Sequence, residues 1–469
     1  MEDCPGICTR KGRLSANNER EFVVYPSGGM EGSIMAGAVE IANCRLTIDD
    51  LKPVCRQARS EIKLLVLLSA WLLICGDVLG AEAKSRPQNT QSSLALRSMA
   101  RVYMACGDYQ KAQPLLERAL NQAQAASVSD AELCACLIDA AYLYKEQGDL
   151  SQAETMCRLG LAMQEKIHHA NHPYVADTLR ILSEICRGQG RYEEAQSSLE
   201  RAIAIIRKVR PEDGQEVAPF KVDMARLLTA RGDYANAESY FKDAINAIDK
   251  SFGPEHPYTA KVRCSMAALY SLQGRNAEAQ TLISRALPIY EKVHGPDHHF
   301  LIPLWLVQAR INQSNGRTAE AQALLDKSLR VARKTGCGRL IQGEVLTELG
   351  QFYLENKQLS KAQDALLQAV ETFENSQTVE SAAALHTLAK VYAEKGRYNE
   401  AQNLCRKALA VLESGSGQAH PRTAEVLETL VQLNRTSGNT KEVARLEQRV
   451  EEIRVPKPAA YAPAVKSIQ

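Results

Sequence analysis

Apolar residues return at steps of three and four through most of this chain, and they do so in paired segments. Between positions 176 and 209, Leu179, Leu182 and Cys186 mark one side of a first segment, and Tyr192, Ala195, Leu199, Ala202 and Ile206 mark one side of a second. A period of 3.6 residues brings such positions onto one stripe, so each segment predicts an amphipathic helix with a buried face. Gly190 lies between the two. The residue just past a helix end commonly turns left-handed, which glycine does without the steric cost of a β-carbon, so the pair predicts helix, tight turn and antiparallel return helix.

The same unit recurs along the chain at intervals of 39 to 42 residues, as a turn residue followed five positions later by a small or apolar one: Gly107 with Ala112, Gly148 with Ala153, Gly190 with Ala195, Gly232 with Ala237, Gly274 with Ala279, Gly316 with Ala321, Lys357 with Ala362, Gly396 with Ala401, and Gly438 with Val443. Lys357 is the exception among the turns and predicts a weaker one. The small residues leave room for two helices to cross closely. A unit of this size cannot bury its apolar stripe alone, so stacked neighbours must do it, and the expected architecture is an elongated all-α solenoid over residues 86–455.

The turn Gly-Arg-Tyr-Glu-Glu-Ala-Gln at 190–196 and its counterpart Gly-Asp-Tyr-Ala-Asn-Ala-Glu at 232–238 resemble those of tetratricopeptide repeats (TPRs). The 42-residue spacing and the linkers Phe252-Gly-Pro-Glu-His-Pro-Tyr258 and His294-Gly-Pro-Asp-His298, echoed at 171–174 and 418–421, resemble the kinesin light chain subclass. The resemblance implies a right-handed α-solenoid of about nine helix-turn-helix repeats whose first helices line a concave groove. It places ligand contacts 13, 10, 6 and 3 residues before each turn glycine. On this chain the basic and aromatic residues at those positions include Arg97, Arg101, Tyr142, Lys145, Arg180, Arg187, Arg226, Arg310 and Lys390, with Glu184 and His386 also among them. The groove so defined leans basic. Because a guanidinium can hold a carboxylate through two hydrogen bonds, the expected ligand is a peptide or protein segment, acidic or ending in a free carboxylate, anchored by Arg97, Arg101, Arg180, Arg226 and Arg310. The alternative is a solvated basic face with no ligand.

Kinesin light chain repeats carry an asparagine pair nine and ten residues before the turn glycine. The pairs here include Arg97-Ser98, Ile138-Asp139, Arg180-Ile181, Val222-Asp223 and His386-Thr387, and none contains asparagine. A non-catalytic interaction scaffold is therefore the leading expectation. A kinesin-like cargo adaptor and a regulatory module of a signalling or envelope complex are the alternatives.

Charge adds little to this picture. Lys plus Arg number 57 against 55 Asp plus Glu, a formal charge of +2, which gives no bulk reason to expect nucleic acid as a partner. No phosphate-cradling glycine loop, nucleophile elbow or His-Glu-x-x-His helix occurs, so no catalytic residue, metal or cofactor is expected. Of the 13 cysteines, Cys157, Cys186 and Cys405 fall at core positions of the repeat, and Cys134 and Cys136 are two apart on a helix, a spacing that splits them between faces. His168, His169, His172, His256, His294, His298, His299 and His420 all fall in inter-repeat linkers, where loop and capping roles are expected.

Ahead of the repeats, residues 1–63 show no sustained helical period and predict a poorly structured extension. Residues 64–83 open on the uncharged run LLVLLSAWLLI, preceded by Arg56, Arg59 and Lys63. The run is shorter than the roughly 18 residues of a spanning helix and within the roughly 7 to 15 of a signal-peptide core. It is expected to act as an export signal, with translation starting near Met35 or later, or as a retained membrane anchor through residues 64–79. The protein is then exported or membrane-anchored, with a cytoplasmic location as the alternative. After 455, the prolines at 456, 458 and 463 predict a disordered tail over 456–469. Within the array, the linkers at 211–216 and 335–343 depart from the Gly-Pro-x-His-Pro form and are expected to be its weakest points.

Overall fold

Each stretch carrying the helical period forms a helix. The computed structural model describes residues 88–454 except short linker positions (106, 126–128, 210–213, 215, 336, 375–377 and 417–420); the extension at 1–63, the apolar segment at 64–83 and the tail at 456–469 lie outside the described residues. The helices are α1 (Gln88–Ala105), α2 (Tyr109–Ala125), α3 (Asp130–Gln147), α4 (Leu150–His168), α5 (Pro173–Gly188), α6 (Tyr192–Val209), α7 (Ala218–Arg231), α8 (Tyr234–Phe252), α9 (Pro257–Leu272), α10 (Asn276–His294), α11 (Ile302–Ser314), α12 (Thr318–Thr335), α13 (Arg339–Glu355), α14 (Leu359–Thr372), α15 (Val379–Glu394), α16 (Tyr398–Ser416), α17 (Pro421–Thr436) and α18 (Thr440–Arg454). A short 3-10 segment, His299–Leu301, precedes α11. Among the described residues these form nine consecutive antiparallel pairs and no strand.

The turns follow the chemistry of their residues. Gly107, Gly148, Gly190, Gly232, Gly274, Gly316, Gly396 and Gly438 all have φ between +73° and +89°. Lys357 adopts the same left-handed region at φ +57°, so the repeat geometry overrides the preference of the residue there. Five residues on, Ala112, Ala153, Ala237, Ala279, Ala321, Ala362 and Ala401 are wholly buried where the second helix crosses the first, and Ala195 nearly so.

The linker histidines act as helix caps. Nδ1 of His172, His256 and His298 accepts the backbone N–H two residues on, at 3.2, 3.2 and 3.3 Å. Pro173 and Pro257 follow at the first helical position, where a missing N–H costs nothing. The rings also stack back onto the preceding helix, His172 on His168 and His256 on Phe252. His420 lies outside the described residues. Cys134, Cys136, Cys157, Cys186, Cys337 and Cys405 are buried free thiols, and Cys264 is half-buried and free.

First helices pack on the first helices of the next repeat, which puts them on the inner side of the curve. The stack then meets itself. Helix α3 of the second repeat touches α13 of the seventh, five repeats further on. A β-carbon on Gly338 would lie 1.8 Å from the Glu146 carbonyl oxygen, and one on Gly148 2.8 Å from Leu340 Cγ. The first repeat makes the same approach to the sixth, where a β-carbon on Gly107 would lie 2.0 Å from His299 Cε1. The superhelix thus completes one turn in about five repeats, and a seam joins successive turns.

That seam corrects one expectation. The linker at 335–343 departs from the repeat pattern not as a weak point but because it is fitted to another surface: Cys337 is buried, Gly338 meets the backbone of α3, and Leu340 meets Gly148.

Candidate functional site

The inner face is a ladder of ion pairs running from repeat to repeat. Arg101 donates Nε to Asp139 of the next repeat at 2.8 Å. Lys145 reaches Glu184 at 2.5 Å, and Arg180 reaches both Glu184 at 2.9 Å and Asp223 at 3.0 Å. Arg226 contacts Asp223 at 3.3 Å and donates Nη2 to Ser265 Oγ at 2.9 Å. Arg310 faces Glu348 at 3.7 Å. In four of these contacts, to Asp139, Asp223, Ser265 and Glu348, the acceptor stands nine residues before its own turn residue, on the repeat that follows the basic residue.

The ladder changes the meaning of the basic groove. Arg97 is only 5% exposed and is held by Glu132 at 2.7 Å and Asp139 at 3.1 Å, so it is a structural cation and not a free anchor. The other four arginines remain partly exposed on the inner face, each with a carboxylate of the chain already beside it. The remaining predicted residues are spread along the array. The Lys145 ammonium lies 4.6 Å from the Tyr142 ring centroid. Arg187 and Lys390 are half-buried, and neither forms an ion pair among the described residues. The Lys390 charge adds to burial in holding His386 down at about 3, and His386 Nε2 meets Thr429 Oγ1 at 2.8 Å.

Electrostatics couple neighbouring groups along the inner face. Burial works against the charges of Lys145 and Glu184, but their mutual attraction prevails: the ammonium is pushed up and the carboxyl well below the usual range. Asp223 is pushed the other way by burial and by Glu184. Asp177 is raised to about 6 by burial, with Arg180 opposing.

Lys261 of the fifth repeat and Glu344 of the seventh are exposed along part of their length and, among the described residues, make no ion pair. Burial depresses the Lys261 ammonium, Arg226 adds to this, and Glu184 and Glu146 on the opposite wall oppose it. Burial together with Glu348 and Glu380 raises the Glu344 carboxyl to about 7. Cys264, one helical turn after Lys261, feels Arg226, Glu344 and Arg310, and burial pushes its thiol up to about 12, far from a reactive thiolate.

Sequence reasoning found the cations and missed their partners. Asp139, Asp223 and Glu348 stand at the position inspected for asparagine, and Asp177, Lys261 and Glu344 stand 13 residues before their turns. The signal was the register itself, read without its acidic members and without Lys261.

A curved stack of helix pairs with a charged inner face is a helical-repeat interaction scaffold. Among the described residues no helix is long and apolar enough to cross a membrane. Residues 85–252 match the MalT-like TPR region, and residues 217–292, 300–375 and 380–454 match the tetratricopeptide repeat. The chain belongs to the tetratricopeptide repeat family. Among solved structures, it is similar to a Rap protein complexed with Competence and Sporulation Factor, at 14% identity over 81% of this chain and 98% of that one, with a TM-score of 0.58. It is also similar to the nearly identical TPR-like repeats of a Podosopora anserina putative kinesin light chain, at 23% identity over 45% of this chain and 100% of that one, TM-score 0.36. A third is BtubC (BKLC) from P. vanneervenii, at 17% identity over 57% and 93% of the two chains, TM-score 0.36. No curated protein matches the chain.

Proposed function

We propose that this protein is a non-catalytic scaffold that holds an extended segment of a partner protein against the inner face of its superhelix. The observation that carries this reading is two exposed charges, Lys261 and Glu344, which make no ion pair among the described residues, beside Lys145, Arg180 and Arg226, which are matched by carboxylates of the chain itself. An all-acidic ligand would have to displace Asp139, Asp223 and Glu348 from their arginines. A segment of mixed charge, with a carboxylate for Lys261 and a basic side chain for Glu344, displaces nothing. The kinesin-like cargo mode is less well supported, because the positions that would clamp a peptide backbone are engaged in the ladder. A Rap protein of similar fold is complexed with Competence and Sporulation Factor, which supports occupancy of such an array by a partner.

Binding of immobilised peptides of acidic, basic and mixed charge tests the proposal. Mixed-charge peptides should bind best. Lys261→Glu and Glu344→Lys should each weaken capture while the helical content stays that of wild type, and capture indifferent to both substitutions would refute it. We further propose that residues 64–83 direct export or anchoring, which the mass of the mature N-terminus tests.

A further inference from the structure

The seam has a feature that peptide binding does not use. His299 is 1% exposed, and among the described residues neither of its ring nitrogens has a hydrogen-bond partner. It sits in the 3-10 segment between the fifth and sixth repeats, yet its ring lies against the first repeat, covering Gly107 and standing 6.5 Å from the Tyr109 ring in an edge-on arrangement. We propose that His299 is a pH-sensitive latch: neutral, it closes the seam between the first and sixth repeats, and protonated, it releases that seam.

The physical reason is that an imidazolium has two N–H donors and a full charge, and this site offers no acceptor for either. The groups around it do not change that. Glu146 on α3 is the one anion acting on the ring, and it is already engaged by the Lys145 ammonium at 3.0 Å and approached by the Tyr109 hydroxyl at 3.5 Å. His294 on α10 repels a second positive charge, and the His298 ring lies tilted against the His299 ring at 4.4 Å while capping its own turn. On α11 the one charged residue is Arg310, which faces Glu348, and on α12 Lys327 lies over the Trp305 ring. Burial first, then His294 against Glu146, keeps the His299 pKa down at about 4 in the closed state. In an open seam the ring returns to its ordinary value of 6.5. Gly107 makes the arrangement obligatory, since any β-carbon there would overlap the ring.

Hydrogen exchange of the full chain, corrected for intrinsic rates and compared at pH about 7 and about 5, tests the latch. Between those values the two pKa values predict that opening of the seam rises about 20-fold. Peptides spanning 107–116 and 296–304 should therefore gain exchange at the lower pH, while those within α8 should not. His299→Phe, an uncharged ring of similar size, should keep the seam closed at both pH values and lose the gain. His299→Gln provides a second uncharged side chain if the phenylalanine variant does not fold. His299→Lys should leave the seam open at neutral pH. A wild-type seam whose exchange rises no more than that of α8, or an uncharged variant that keeps the full gain, overturns the proposal. The prediction does not depend on any ligand, so its failure would leave the scaffold reading untouched.

Discussion

Arg180 of the third repeat reaches Asp223 of the fourth, Nη1 to Oδ2 at 3.0 Å, and Arg226 approaches the other oxygen of the same carboxylate at 3.3 Å. One acid, 5% exposed, therefore holds two guanidinium groups that would otherwise repel across the joint between repeats. Asp223→Ala removes the shared acceptor. Breaking a buried ion pair from one side is more costly than the pair itself is worth, so a loss of about 3 kcal/mol is expected in chemical denaturation. The same variant should bind acidic peptides more tightly than wild type, because Arg180 and Arg226 are released. Unchanged stability together with unchanged peptide preference would mean that the ladder is not a structural element.

The seam between turns makes its own prediction at Gly338. Its backbone is in an ordinary region, so the requirement for glycine is purely one of space: a β-carbon would sit 1.8 Å from a main-chain oxygen of α3. Gly338→Ala must push the seventh repeat off the second, and an overpacking loss of about 1–3 kcal/mol is expected. Small-angle scattering should report a longer particle. If the variant melts and scatters like wild type, the superhelix is more open in solution than its five-repeat turn requires.

Lys357 offers a gain instead of a loss. It holds a left-handed turn at φ +57°, where a residue with a β-carbon is strained by about 1 kcal/mol. Its ion pair with Glu394 at 3.0 Å is solvent-exposed and worth little. Lys357→Gly should raise the stability of the seventh repeat by about 0.5 kcal/mol once the extra freedom of unfolded glycine is set against the relief. Gly396→Ala is the matching control. Its turn has φ +74° and nothing within 4 Å of the added methyl, so any loss there measures backbone strain alone.

These cases mark how far the sequence could be read. The period and the turn residues determine local structure and nearest-neighbour stacking, and both follow from chemistry within about forty residues, so Gly190, Ala195 and His256 were legible. The seam was not, because it joins residues separated by five repeats and depends on accumulated curvature, which no single repeat encodes. Gly338 and His299 accordingly looked like irregular linker residues. The groove lies between these extremes. Its register was legible, but charge matching is a relation between adjacent repeats, so counting Arg101, Arg180 and Arg226 without Asp139 and Asp223 overstated its basicity.

Glu344 ties stability and binding to pH. Burial first, then Glu348 and Glu380, raises its carboxyl from an ordinary 4.5 to about 7. Between those values the folded chain keeps a proton that the unfolded chain has lost, so this group favours folding fully below pH 4.5, and that contribution is lost as the pH rises through 7. Glu344→Gln removes the dependence, and the variant should melt above wild type at pH about 8, with the difference shrinking to nothing toward pH about 4.5. The buried His299 and the half-buried His294 act in the opposite sense, since both, lowered to about 4, withdraw stability as the pH falls below 6.5. Comparing the variant with wild type at each pH cancels their contribution and isolates Glu344. Ligand capture should separate the two forms further. A basic side chain is attracted only by the ionised carboxylate, so wild-type capture of mixed-charge peptides should strengthen as the pH is raised through 7, whereas Glu344→Gln should bind weakly throughout. A wild-type profile that is flat between pH about 6 and about 8 would remove Glu344 from the binding surface.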